Sequence, residues 1–139
     1  MSDTDFFSYL KTLEPEDWHR MATDAWTVKD VVAHMVSWEK EAAAVIQSAW
    51  DRKEPPWFMK TDDYDEFNRK SVLSYKNYTP AQLVEEWERW QKKVEEEIER
   101  VGEYNLKTRP DLFGWLFEPG DGSHYEHHYR QVKRAIEKR

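Results

Sequence analysis

Apolar residues in this chain recur at spacings of three and four rather than two, a pattern that predicts α-helices and no sheet. Phe6, Leu10 and Leu13 form the first stripe, over roughly Thr4 to Leu13, and Pro15 ends it or starts a short turn through Trp18. A second helix is predicted to open at Thr27, with Asp30 three residues on in the manner of a capping box, and to run to about Asp51, before Pro55-Pro56. Val28, Val32, Met35, Ala42 and Ile46 share its inner stripe, and Val31, Trp38 and Ala49 widen it. Glu39 falls inside that stripe, so it stands near an end of the core or has a polar partner. A shorter helix is expected from Asp63 to Tyr75. The next has the clearest start: Thr79 is N-cap, Pro80 is N1 and Gln82 is N3. Leu83, Trp87, Trp90, Val94, Ile98 and Val101 keep one face of it apolar until Gly102 stops it.

A loop is expected next, carrying Pro110 and the aromatic patch Leu112, Phe113, Trp115, Leu116, Phe117, as an interface patch or a cap on the bundle, the cap being favoured. The last helix begins after Asp121-Gly122, with Ser123 and Glu126 in a capping box and Tyr125, Tyr129, Val132 and Ile136 inward. Four main amphipathic helices with longer connections make an all-α four-helix bundle, a single domain over residues 1–139.

Composition narrows the chemistry. A net charge of −7 speaks against nucleic acid as a partner, since phosphate contacts need clustered positive charge. Five basic residues in the last ten suit a helix C-terminus, whose dipole favours cations. Cys is absent, so thiolate nucleophiles, disulfides and Cys-ligated zinc are excluded. No run approaches the roughly 18 apolar residues of a membrane span, and the opening MSDTDFFSYL lacks the basic and apolar regions of a signal peptide. A cytoplasmic protein without membrane contact is therefore expected. Eight Trp supply bulk for a core that aliphatic residues alone would not fill.

Histidine and carboxylate remain as reactive groups. His124 and His128 stand four apart on the last helix, close enough for one metal ion to bind both. Helical phase puts His128 about 70° from the apolar stripe and His127 about 160° from it, towards water. The N-terminal end of the helix dipole also disfavours a charged imidazole at His124. The third ligand of a site must come from another helix. His34, on the Val31–Trp38–Val45 edge of the second helix, is the candidate, and three His plus water would make an open metal site. The same spacing equally fits two interfacial histidines on an amphipathic helix, and His34 a hydrogen-bonded edge histidine. His19, beside Trp18, is expected to be exposed. HYEHH is not the HExxH of zinc proteases, because the Glu stands at the wrong position, and Glu126 reads as a cap rather than a general base. Glu39 or Glu41 can orient an imidazole, Glu41 being the better placed by phase. Trp38, Tyr125 and the Trp115 loop are the candidates to shape a cavity.

WTVKDVVAHMVSWE (Trp26 to Glu39) resembles the second-helix signature of the DinB/YfiT-like superfamily of bacterial four-helix bundles, and GSHYEHHYRQVKR (Gly122 to Arg134) resembles its fourth-helix HxxxH signature. DEFNR (Asp65 to Arg69) and NYTPAQLVEEW (Asn77 to Trp87) are similar to the ClbS/DfsB-like branch. The resemblance spans about residues 5 to 137. It implies one divalent metal, nickel or zinc, on the positions matching His34, His124 and His128. It implies as partner a small-molecule substrate or a small thiol such as bacillithiol or mycothiol, in a metal-dependent transferase or hydrolase. The ClbS-like branch implies instead a resistance protein that opens a reactive cyclopropane in a genotoxin. Its members do not all keep the three His, whereas this chain has all three. The alternative function is thus metal-free small-molecule binding, sequestration or ClbS-like resistance. A homodimer is possible on this reading.

Overall fold

The computed structural model describes residues 3–117 and 124–137. Its helices are α1 (Asp3–Lys11), α2 (Val28–Arg52), α3 (Asp65–Ser74), α4 (Pro80–Val101), α5 (Glu103–Lys107), α6 (Pro110–Phe113) and α7 (His124–Glu137). Short 3-10 turns occupy Pro15–His19, Trp57–Met59 and Gly114–Phe117. The four-helix bundle is built from α1, α2, α4 and α7, as the apolar stripes predict. Among the described residues no helix is long and apolar enough to cross a membrane.

The two long helices start where their caps demand. Thr27 Oγ1 accepts from the Asp30 amide at 3.1 Å, and the Asp30 carboxylate accepts from the Thr27 amide at 3.1 Å. Thr79 and Gln82 exchange the same pair of bonds at 3.1 and 2.9 Å. Each box satisfies amides that the first turn leaves open. Gly102 closes α4 at φ 99°, a conformation that costs little only without a side chain. The capping box expected of Ser123 and Glu126 involves residue 123, outside the described residues.

Two apolar clusters fill the bundle. One joins Phe6, Phe7 and Leu10 of α1 and Val28, Val32 and Val36 of α2 to Leu83 and Trp87 of α4 and Tyr129, Val132 and Ile136 of α7. The other joins Ala42, Ile46 and Ala49 of α2 to Val94 and Val101 of α4 and to Leu106, Leu112 and Phe113. The first half of α2 thus packs with the first half of α4, and the second with the second, so the two run in the same direction. Parallel neighbours need a long crossover, and the segment carrying α3 supplies it. Trp87 is fully buried, with Phe6 and Phe7 edge-on to it at centroid distances of 5.1 and 4.8 Å. Such ring pairs add about 0.5–1.5 kcal/mol each beyond the area they bury.

Two sequence expectations need correction. The stretch after Gly102 is not a loop: it holds α5 and α6, too short to show a helical period. Its Leu112 and Phe113 are fully buried in the second cluster, so the aromatic patch caps the bundle. Trp38 and Trp90, assigned to the core by spacing, are only partly buried, unlike Trp87. His19 is exposed, as expected.

Candidate metal centre and adjoining cavity

His34 lies on the second turn of α2, flanked by Val31, Ala33 and Met35, and is 3% exposed. His128 lies on the second turn of α7 and is 7% exposed. The packing of α7 on α2 sets their rings edge to face, with centroids 4.8 Å apart. Trp26 closes one side, its ring centroid 4.9 Å from that of His34. Two of the three predicted ligands therefore meet. His124 opens α7, but its side chain lies outside the described residues. Among the described residues no group of three His, Cys, Asp or Glu is arranged to hold an ion.

The imidazole pair itself fits a shared ion. Metal–nitrogen bonds of about 2.0–2.1 Å in tetrahedral geometry place two ring centroids roughly 5 Å apart, close to the separation seen. His128 is also prepared electronically. Its Nδ1 is 2.6 Å from Gln131 Oε1, which can only accept, so Nδ1 carries the proton and donates it. The lone pair is then on Nε2. Burial pushes the His128 pKa down to about 4, against the opposing pull of the Gln131 hydrogen bond, and the neighbouring His127 lowers it further. The ring is neutral at pH 7, the form that binds metal.

Beside the imidazoles lies a cavity of about 740 Å³, walled by Trp26, Trp38, Phe58, Tyr64 and Trp115. The size suits a small molecule. Trp38 is the central wall. Its Nε1–H donates to Asn68 Oδ1 at 3.0 Å, which ties α3 to α2. Phe58 and Tyr64 stand nearly perpendicular to it, at 79° and 80°, and Trp57 stacks on it at 5.8 Å. Phe58 meets Trp115 edge-on at 5.0 Å, which joins the crossover to the segment after α6.

Trp38 and Trp115 were foreseen as cavity walls, while the side chain of Tyr125, the third, lies outside the described residues. Phe58 and Tyr64 were missed. They lie in the crossover, where no period exposes them, and the clustering of Trp57, Phe58 and Tyr64 after Pro55-Pro56 was the available signal. Glu39 lines the cavity, whereas Glu41 accepts from Trp57 Nε1 at 2.9 Å on the outside. His127 is exposed, as its phase indicates, yet it reaches the cavity rim, with its ring 5.1 Å from that of His128.

The structure is an all-α bundle with two imidazoles paired beside a cavity. The chain belongs to the family described as the mycothiol maleylpyruvate isomerase N-terminal domain, whose profile matches residues 2–110, and which is a DinB/YfiT-like all-α family. That superfamily is often metal-binding and thiol-related. The match takes in His34 and ends before His124 and His128. No curated protein and no solved structure matches the chain.

Proposed function

We propose that the protein holds one divalent metal, nickel or zinc, on His34, His124 and His128, and acts on a small molecule in the adjoining cavity as a thiol-dependent transferase or a hydrolase. The approach of the His34 and His128 rings to 4.8 Å, from helices far apart in the chain, carries this reading. When bound, the ion supplies a Lewis acid that polarises a substrate carbonyl or lowers the pKa of a thiol or water. The chain's own groups do the rest. Gln131 fixes the His128 ring and its tautomer, and burial keeps that ring neutral. Trp26, Trp38 and Phe58 keep water from the reacting group and hold the substrate body against the imidazoles.

The test is the metal content of tag-free protein, with thermal shift on adding nickel, zinc or manganese, before and after His34→Ala. About one ion per chain, lost in the variant, supports the proposal. No metal and no shift in the parent protein would instead support metal-free binding or sequestration of the same small molecule, which includes the ClbS-like reading.

A further inference from the structure

One side-chain amide on the cavity wall has its orientation settled by the protein. Asn68 of α3 lines the cavity, and its Oδ1 accepts the Trp38 Nε1–H at 3.0 Å. An indole nitrogen can only donate, so the atom facing it is the amide oxygen, and a flip of the amide would set two donors against each other. The indole is itself clamped. Trp57 stacks on it at 5.8 Å, Phe67 lies against it at 4.4 Å, and Phe58 and Tyr64 stand edge-on. The Asn68 NH2 is therefore a fixed group with two hydrogens to give, and among the described residues no side chain or carbonyl accepts them. Other hydrogens on these walls are spent within the protein. The Tyr64 hydroxyl donates to the Phe58 carbonyl and Trp115 Nε1–H to the Leu112 carbonyl, each at 2.8 Å. Asn68 is half-buried, so a ligand that fills this end of the cavity displaces water from its NH2. Displacing that water without replacing its hydrogen bond loses affinity.

We propose that Asn68 sets the specificity of this cavity by donating from its NH2 to a carbonyl oxygen on the body of the small molecule, apart from the group that faces the imidazoles. The proposal rests on the reading of this cavity as the small-molecule site and names the class of substrate: a carbonyl compound with an apolar body that packs on Phe58 and Trp115. A carbonyl oxygen carries two lone pairs and no hydrogen, which complements a group that can only donate. The Trp38 ring, to which Asn68 is bonded, has its centroid 6.4 Å from that of His34, so one small molecule can reach both ends.

The test titrates the isotope-labelled full chain, followed by NMR, with two matched probes: benzylacetone and the alkene in which a methylene replaces its carbonyl oxygen. The Asn68 side-chain NH2 resonances, identified by their absence from Asn68→Asp, are expected to move with the ketone and not with the alkene. Asn68→Asp keeps an oxygen for the Trp38 Nε1–H and removes only the donor. It should weaken the ketone about threefold to tenfold and leave the alkene unchanged. An amide that served only to hold Trp38 would let Asn68→Asp bind both probes as the parent does. Should Asn68→Asp fail to fold, Asn68→Ala identifies the same resonances and must weaken the ketone more than the alkene. NH2 resonances unmoved by the ketone, a ketone affinity unaltered by loss of the donor, or no binding of the ketone at millimolar concentration overturns the proposal. The NH2 response should persist in His34→Ala and after chelation. Loss of metal with that response kept would therefore count only against the metal, and loss of the response with the metal kept only against the role of Asn68.

Discussion

His128 gives its Nδ1 proton to Gln131 Oε1 across 2.6 Å, within one turn of α7. That bond sets which nitrogen faces outward with a lone pair, and it resists rotation of the ring. A partner of this kind is worth about 10–100-fold in metal affinity where it has been removed from other sites. Gln131→Leu is accordingly expected to lower zinc or nickel affinity by that range while the helix persists. Competition titration with a chromophoric chelator reads the change. An unaltered affinity would show that the hydrogen bond plays no part in metal binding.

The depressed pKa of His128 links the fold to pH. The unfolded chain takes up a proton near pH 6.5, while the folded chain does so only near pH 4. Between those values the unfolded state binds more protons, so the stability is present above pH 6.5 and is lost as pH falls towards 4. The loss attributable to this ring is up to about 3 kcal/mol. Urea unfolding with chelator present, at neutral pH and near pH 4.5, should show a smaller loss in His128→Asn than in the parent. Equal losses would contradict the assignment.

Local caps should carry measurable energy of their own. Thr79→Ala removes the acceptor for the Gln82 amide and is expected to cost about 1 kcal/mol. Gly102→Ala places a Cβ on a residue at φ 99°, with Asn105 Nδ2 3.3 Å from it, and should cost about 1–2 kcal/mol. Denaturant midpoints at constant slope test both. A neutral Gly102→Ala would mean that the end of α4 relaxes freely.

The buried and open tryptophans should part company. Trp87→Ala is expected to destabilise by about 3–5 kcal/mol, since it leaves a hole between Phe6 and Phe7 in the first cluster. Trp57 is 37% exposed, stacks on Trp38 and donates to Glu41 at the surface, so Trp57→Ala should change stability much less. Thermal unfolding of the two variants, measured side by side, separates them.

The bundle was legible because its signals are local. Thr27 with Asp30, Thr79 with Pro80 and Gln82, and the stripe from Leu83 to Val101 each need only a few neighbouring residues to declare a helix. His34 and His128 were legible as a pair by helical phase, with the resemblance supporting the choice. The cavity was less so, because its walls come from segments with no period. Phe58 lies within a three-residue turn, and Tyr64 precedes α3. Trp38 shows helical spacing, but whether its ring meets core or cavity depends on what α3 and the crossover place against it. Glu39 and Glu41 differ in role for the same reason: Trp57, from the crossover, claims Glu41.

The central claim is that residues 34, 124 and 128 share one ion. X-ray absorption at the zinc or nickel edge of the loaded, tag-free protein tests it most directly. Three imidazole ligands are expected in the parent, with occupancy collapsing in His34→Ala and in His128→Ala. A protein that takes up no ion, or one whose imidazole count is unchanged by either substitution, would contradict it.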